Sequence, residues 1–224
     1  MSDSWDDYAD GWDSNDAVIH YAIKAHEALL ATMSPAGMTV LDFGCGTGLL
    51  TEKLASVASS VVALDTSSKM LSVLKQKALK NVTTFHGELT QTTLKTEPLL
   101  QQKFDLIVAS SALAFVPDYV ATVKLLALQL AANGTLVQWD WLKAESAEGM
   151  GFSEEQIDVA MQSAGLKDIQ ISVPFSLNSP QRDMPVVMAV AKKNNNRLLK
   201  KHYCGPMPRR IAAIANEPQL RTAP

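Results

Sequence analysis

Residues 40–50 read VLDFGCGTGLL, and this stretch decides the fold. An apolar run leads into Gly44, Gly46 and Gly48, and an apolar helical pattern begins at Leu49. Glycine accepts backbone conformations that are closed to other residues and leaves no Cβ between the chain and a ligand. A helix that begins directly after such a loop presents unpaired backbone N–H groups to an anionic ligand group. The stretch therefore predicts a strand, a ligand-binding loop and a helix.

Two common glycine loops do not fit this spacing. The dinucleotide-binding fingerprint needs a glycine at the sixth place counted from Gly44, and Leu49 stands there. A P-loop needs Gly-Lys-Ser/Thr, and Gly48 is followed by Leu49. The loop is therefore of a different kind.

Asp42 followed by Gly-x-Gly-x-Gly resembles the first motif of class I S-adenosylmethionine-dependent methyltransferases. The resemblance continues at VVALD, residues 61–65, where the family places an acidic residue at the end of the second strand. Asp65 is expected to accept hydrogen bonds from both ribose hydroxyls of S-adenosylmethionine, because a carboxylate has free lone pairs on both oxygens. The following helix start would place Met70 near the adenine, and Glu88 with the Leu89 backbone would meet its amino group.

The resemblance thus implies a set of residues that bind S-adenosylmethionine: Asp42, Gly44, Cys45, Gly46, Gly48, Asp65, Thr66, Met70, Glu88, Leu89 and Ser110. The catalytic residues stay unknown. The loop after the fourth strand often carries histidines in the family, and this chain has Ala114 and Phe115 there. The weaker candidates are Asp140, near the end of the fifth strand, and His20 in the first helix.

Short apolar runs alternate with amphipathic stretches from residue 38 to 141, as in consecutive βαβ units. The predicted strands are 38–43, 61–65, 82–86, 104–109, 134–141, 168–174 and 186–192. The predicted helices are 16–33, 49–58, 67–79, 117–131 and 154–164, with a short helix interrupted at Pro98 within 90–103. We expect a doubly wound, Rossmann-like α/β fold with helices on both faces. By resemblance its seven strands are mostly parallel and the last is antiparallel.

Three segments are predicted. Residues 1–33 form an N-terminal lid segment and a helix, 34–193 the methyltransferase domain, and 194–224 a basic, flexible tail. The lid alternates aromatic and acidic residues, and Tyr8 and Trp12 are its expected contacts, because a sulfonium favours the faces of aromatic rings.

Charge is unevenly distributed along the 224 residues. Residues 192–224 carry eight basic side chains and one acid, whereas the rest of the chain has a net charge of -10. An acidic body argues against nucleic acid as the main partner. No apolar run approaches the ~20 residues that cross a bilayer, and the acidic start is unlike a signal peptide. Two cysteines and four histidines show no metal-ligand spacing, so we expect no metal and a reduced, cytoplasmic location.

The expected function is methyl transfer from S-adenosylmethionine to a small-molecule acceptor, with release of S-adenosylhomocysteine, by a monomer or weak homodimer. Residues 110–113, SSAL, stand where enzymes that methylate adenine or glutamine carry Asn/Asp-Pro-Pro-Tyr/Phe. Two alternatives stay open. One is an RNA- or protein-modifying methyltransferase that holds its substrate with the basic tail. The other is a non-catalytic subunit that binds the cofactor and serves a partner enzyme.

Overall fold

The computed structural model describes residues 5–143, 149–179 and 182–194. The strands are β1 Thr39–Phe43, β2 Ser60–Asp65, β3 Val82–His86, β4 Phe104–Ser110, β5 Leu130–Trp141, β6 Leu166–Ser179 and β7 Arg182–Lys193. The α-helices are α1 Asp16–Thr32, α2 Leu49–Ala55, α3 Ser68–Gln76, α4 Thr93–Thr96, α5 Pro98–Gln101, α6 Tyr119–Gln129 and α7 Glu154–Ser163. Short 3-10 helices cover Trp5–Tyr8, Trp12–Ser14 and Leu113–Phe115. None of the helices in these ranges is long and apolar enough to cross a bilayer.

The strands form one sheet in the order β3-β2-β1-β4-β5-β7-β6. Strands β1 to β5 pair in parallel, and β7 runs antiparallel to both of its neighbours. This arrangement confirms the predicted fold class. The strand order reverses between β1 and β4, and in open α/β sheets ligands bind outside the carboxyl ends of the strands at such a switch point.

Helices cover both faces of the sheet, because the strands bury apolar side chains on both sides. One core contains Leu41, Phe104 and Leu136 and packs against α6 and α7. The other core contains Leu54 and Trp139 and packs against α1 and α2.

Local signals set the helix boundaries. The Asn15 side chain accepts a hydrogen bond from the Ala17 N–H at 3.0 Å and so begins α1. The predicted capping box is present at α7, where Ser153 and Gln156 each bond the other's backbone N–H. Pro98 begins α5, in agreement with the expected break between two short helices, because proline has no N–H to continue α4.

The last two strands are longer than predicted. They pair beyond Phe175↔Val186 as a hairpin, with Leu177 opposite Met184. The Phe175 ring packs edge-to-face on Tyr21 of α1, with ring centroids 5.5 Å apart. This tertiary contact stabilises the extension, and no local sequence pattern encodes it. The predicted tail 194–224 lies outside the described residues apart from Asn194, so its boundary stays a prediction.

The turn after β5 depends on a close backbone approach at Gly151. The Phe152 N–H donates to the Trp141 carbonyl at 2.9 Å, and the Lys143 N–H donates to the Phe152 carbonyl at 3.1 Å. Gly151 has φ +109°, and a Cβ at this position would overlap the Trp141 carbonyl oxygen. Gly149 has nearly the same φ angle, +114°, but a Cβ at this position would meet no atom within 4 Å.

We therefore expect Gly151→Ala to destabilise the protein more than Gly149→Ala does, by about 1–3 kcal/mol, because only the first adds overpacking to backbone strain. Urea unfolding of both variants measures this difference. Equal losses of unfolding free energy would show that the turn can move away from the added methyl group.

Candidate active site

A cavity of about 640 Å³ lies at the carboxyl ends of strands β1 to β5. Its volume is within the range of about 300–1,000 Å³ that is typical of small-molecule sites. All but one of the predicted cofactor residues line it: Asp42, Gly44, Cys45, Gly46, Asp65, Thr66, Met70, Glu88, Leu89 and Ser110. The fold thus brings together residues from four separate strand ends and the helix α3.

The exception is Gly48, which does not line the cavity. It is the N-cap of α2 with φ +84°, and a Cβ there would overlap the side chain of Leu74 on α3. Its smallness serves the packing of α2 on α3. Gly44 differs, because it lines the cavity and a Cβ there would overlap Ala112 in the loop after β4.

Asp65 organises the loop at the end of β2. Its Oδ2 accepts a hydrogen bond from the Gly46 N–H at 2.8 Å, and its Oδ1 accepts one from the Ser67 N–H at 2.8 Å. The side chain is only 8% exposed, yet it lines the cavity. Each carboxylate oxygen keeps a further lone pair, so Asp65 can still accept two hydroxyl groups from a ligand.

Asp42 and Cys45 lie deeper beneath the loop. Asp42 accepts a hydrogen bond from the Thr51 hydroxyl at 2.6 Å. The pKa of Asp42 is raised to about 7, mainly by burial; the Thr51 bond opposes the rise, and the charge of nearby Asp65 adds to it. Burial and these two carboxylates also raise the pKa of the Cys45 thiol well above its usual range. Cys45 is therefore a neutral thiol that packs in the wall, which argues against a nucleophilic role.

The part of the wall formed after β2 and β3 combines buried apolar and exposed polar side chains. Met70 and Leu89 are buried and supply apolar surface, whereas Thr66 and Glu88 are exposed at the rim. The Ser67 hydroxyl accepts a hydrogen bond from the Met70 N–H at 3.1 Å, and this cap holds the start of α3 against the loop. Ser110 is half-buried at the end of β4.

The N-terminal segment, residues 5–14, contacts the loop and α3 through two acids. Asp6 accepts hydrogen bonds from the Ser67 hydroxyl at 2.5 Å and from the Lys69 N–H at 3.2 Å. Asp13 accepts one from the Thr47 hydroxyl and pairs with the Lys77 ammonium at 2.9 Å. These bonds fix the segment to the glycine loop and to α3.

The aromatic residues of this segment divide between cavity and solvent. Trp5 and Trp12 line the cavity, and Trp5 packs edge-to-face on Phe115 with ring centroids 4.8 Å apart. Tyr8 is 44% exposed and does not line the cavity. Of the two expected contacts, the structure places Trp12 at the cavity and puts Trp5 there in place of Tyr8.

The charged side chains of the described cavity wall are all acidic: Asp42, Asp65 and Glu88. Negative charge in a partly buried cavity favours cationic ligand groups and disfavours phosphates. A sulfonium or an ammonium suits this wall, whereas the pyrophosphate of a dinucleotide does not. Within the described ranges, no three His, Cys, Asp or Glu side chains lie close enough together to hold a metal ion.

Neither weaker catalytic candidate lines the cavity. His20 lies on the exposed side of α1. Asp140 is fully buried beneath the cavity, where its Oδ2 accepts a hydrogen bond from the Gln138 amide at 3.2 Å. Gln138 in turn accepts one from the Tyr119 hydroxyl at 2.8 Å. Burial raises the pKa of Asp140 to about 8, and the Ala114 N–H and the Gln138 amide oppose this rise.

Several further residues line the cavity that are not among the predicted cofactor residues: Tyr21, Ser111, Trp141, Leu177 and Met184. They come from α1, the loop after β4, the end of β5 and the β6–β7 hairpin. The backbone of Ser111 has φ +51°, which is unusual for a residue with a side chain, and its N–H donates to the Trp139 carbonyl at 2.7 Å. Strain of this kind is common at functional sites.

Comparison with known proteins shows what this part of the chain is similar to. Residues 40–134 match the model of a methyltransferase domain family. The ubiquinone biosynthesis O-methyltransferase of Haemophilus ducreyi is 32% identical over 105 residues, which are 45% of this chain and 44% of that protein. The chain spans about half the length of the curated relatives that it matches.

Solved structures share the fold at low identity. A complex of DhpI with S-adenosylhomocysteine has a TM-score of 0.67 and 20% identity, over 85% of this chain and 93% of that one. Magnesium protoporphyrin IX methyltransferase from Synechocystis, solved with bound S-adenosylmethionine, has a TM-score of 0.58 and 21% identity, over 78% and 79%. The chain thus shares the fold of these solved structures, and its residues 40–134 are similar to a methyltransferase domain.

The raised pKa of Asp140 makes stability depend on pH. The pKa of Asp140 is about 8 in the folded protein and near 3.8 in the unfolded chain. Between these two pH values the folded protein therefore binds one proton more than the unfolded chain does. Its contribution to stability therefore falls as the pH rises from 4 to 8.

Asp140→Asn resembles the protonated acid and carries no such proton. Between pH 5 and pH 8 we expect wild-type protein to lose at least about 1 kcal/mol more unfolding free energy than this variant does. Urea unfolding at both pH values measures the difference, with Asp105→Asn, an exposed acid at the amino end of β4, as the control. An identical pH dependence in wild type and Asp140→Asn would contradict a buried, protonated Asp140.

Proposed function

We propose that this chain transfers a methyl group from S-adenosylmethionine to a small-molecule acceptor and releases S-adenosylhomocysteine. The observation that carries the proposal is Asp65, whose buried carboxylate is fixed by two backbone N–H groups and still faces a cavity at the switch point of the sheet. The methyltransferase domain match over residues 40–134 supports the donor.

The residues of the cavity fit S-adenosylmethionine. Asp65 would accept the ribose hydroxyls, and Met70, Glu88 and Leu89 would surround the adenine. The acidic wall and the indole of Trp12 would face the positive charges of the ligand. When bound, S-adenosylmethionine supplies a methyl group on a positively charged sulfur, which is already an activated donor.

The protein would accelerate the transfer mainly by positioning the two reactants and by excluding water from the site. The lone pair of the acceptor forms the new bond to the methyl carbon, the carbon–sulfur bond breaks with its electron pair going to sulfur, and any proton on the acceptor atom passes to solvent. Alignment of two bound reactants can supply a large part of the acceleration of such a transfer. The described lining residues include no histidine, so the proposal assigns no general base.

A small acceptor is favoured because the N-terminal segment would cover the cavity and limit the size of what can enter. Asp6 binds the segment to Ser67, and Asp13 binds it to Lys77. The name of the Haemophilus ducreyi relative also refers to a small-molecule pathway. A cytoplasmic location and a monomeric or weakly dimeric state stay predictions of the sequence.

Asp65→Asn should weaken binding of S-adenosylhomocysteine by about 2 kcal/mol, or about 30-fold, because hydrogen bonds to a charged group are lost. Calorimetric titration measures this change. The same substitution removes an acceptor for the Gly46 or Ser67 N–H, so a second ligand is needed to separate ribose binding from loop structure.

The 2′-deoxy analogue of S-adenosylhomocysteine supplies this separation. Wild-type protein should bind the analogue more weakly than S-adenosylhomocysteine, whereas Asp65→Asn should bind the two with similar affinity. The control variant Asp105→Asn should behave as wild type. Asp105 lies at the opposite end of the sheet, where its carboxylate accepts a hydrogen bond from the Thr39 N–H. Unchanged discrimination in Asp65→Asn would disprove the ribose assignment.

Trp12→Ala should lower the affinity for S-adenosylmethionine by about fivefold, because a cation–π contact is lost. Its effect on S-adenosylhomocysteine, which has a neutral sulfur, should be smaller. Tyr8→Ala is the matched control, since Tyr8 belongs to the same segment but does not line the cavity. Equal losses for the two ligands would remove the proposed contact between Trp12 and the sulfonium.

A further inference from the structure

The two end strands of the sheet, β3 and β6, differ in how their outer edges are protected. In β6 the register shifts between Lys167 and Gln170 and again between Ser172 and Phe175, and the strand contains Pro174. Bulges, proline and lysine are devices that keep a natural edge strand from pairing with another chain. β3 has none of them, because its five residues, VTTFH, pair with β2 in one uninterrupted register. Among the described strands none pairs with the outer edge of β3, so this edge is open to strand addition.

The backbone of β3 bonds to β2 through odd-numbered positions. The Val61 N–H donates to the Asn81 carbonyl at 2.9 Å, and the Gly87 N–H donates to the Asp65 carbonyl at 3.0 Å. In a parallel ladder, the residues between the bonded positions direct their N–H and C=O groups to the other side of the strand. The even-numbered residues of β3 therefore present their backbone groups at the outer edge of the sheet.

These even-numbered residues are Val82, Thr84 and His86. The Val82 N–H donates to the Leu79 carbonyl at 3.3 Å, so Val82 offers only its carbonyl. Thr84 and His86 each offer an N–H and a carbonyl, and neither backbone has a partner on this side among the described residues. Backbone groups of this kind bind an added strand when a sheet is extended by another chain.

A second copy of this chain satisfies these groups when two β3 strands pair antiparallel about Thr84. Thr84 then lies opposite Thr84 of the second copy, and each N–H donates to the carbonyl of the other. His86 lies opposite Val82 of the second copy, where its N–H meets the carbonyl that Val82 still offers. The pairing is isologous, since one twofold axis relates the same surface of both copies.

Charge favours the same register. Lys80 stands two residues before β3 and Glu88 two residues after it, and both side chains are exposed. With Thr84 on the axis, Lys80 of each copy lies opposite Glu88 of the other. Opposite charges at facing positions stabilise a strand pair, and like charges destabilise it. A parallel pair in register would instead set each of these charges against its own kind.

We infer that the outer edge of β3 is the interface of a homodimer, in which two copies pair their β3 strands antiparallel about Thr84. The sheet continues from one copy into the other. Because the strand is short, the dimer is weak, with a dissociation constant in the micromolar range. Glu88 also lines the cavity, so Lys80 of the second copy comes to its rim. The inference does not depend on the proposed function, since it concerns an edge of the sheet.

Sedimentation equilibrium of the full chain, at concentrations up to millimolar, tests the inference. Wild-type protein should dimerise, and Lys80→Glu should weaken the dimer about tenfold, because two attractive charge pairs become repulsive. Lys167→Glu is the matched control, since it makes the same charge change at an exposed lysine of β6, and it should leave the dimer unchanged. Lys80→Glu combined with Glu88→Lys should restore the dimer, because the facing charges are then exchanged.

A disulfide tests the position of the axis. Facing Cα atoms of a hydrogen-bonded antiparallel pair lie about 5.5 Å apart, within the range that a disulfide spans. In a Cys204→Ser background, mild oxidation should therefore link Thr84→Cys into a covalent dimer. Ser172→Cys, at an exposed position of β6, should stay unlinked. Electrophoresis without reducing agent measures both.

The outcomes are distinct. A monomer at millimolar concentration would overturn the inference and leave the edge of β3 to a strand of another protein. A dimer that Lys80→Glu does not weaken, or that Thr84→Cys does not link, would also overturn it, because the contact would then lie elsewhere. A weakened Lys80→Glu dimer, its rescue by Glu88→Lys and the covalent link at position 84 would together support the inferred pairing.

Discussion

The hydrogen bonds of the Asp65 carboxylate hold together the elements that form the cavity wall. It ties the Gly46 N–H of the glycine loop to the Ser67 N–H at the start of α3. Ser67 then caps α3 and donates its hydroxyl to Asp6 of the N-terminal segment. One buried acid at the end of β2 therefore links the sheet, the glycine loop, the helix α3 and the N-terminal segment. Its remaining lone pairs face the cavity, so the group that builds the loop is also the group available to a ligand.

The part of the site near Asp65 could be predicted because its residues are local to short motifs. An apolar strand, a glycine loop and a strand-end acid each lie within a few consecutive residues, and parallel pairing brings such strand ends to one edge of the sheet. The position of Gly48 outside the cavity wall could not be predicted in this way, because Gly48 packs against Leu74 of α3, a contact between separate elements. Trp5 rather than Tyr8 faces the cavity because of the 3-10 turns of the segment, which periodicity does not reveal.

The other end of the cavity was harder to predict, because its residues do not belong to one short motif. Its wall combines α1, the end of β5 and a hairpin whose length depends on Phe175 packing against Tyr21. No short motif contains these residues, and the family match ends at residue 134, before the end of β5 and the hairpin. Residues 40–134, which include the glycine loop and the acids of the cavity wall, are thus the part that this chain shares with the matched family model.

Calorimetric titration of the purified protein with S-adenosylhomocysteine, with NAD as the control ligand, tests directly whether the glycine loop and its acids bind S-adenosylmethionine. Both ligands carry an adenosine, but only NAD brings a pyrophosphate to the acid-lined wall around Asp42, Asp65 and Glu88. We expect a micromolar dissociation constant for S-adenosylhomocysteine and no measurable binding of NAD. Binding of NAD with equal or higher affinity would contradict it, because the glycine loop and the acids beneath it would then have been assigned to the wrong ligand.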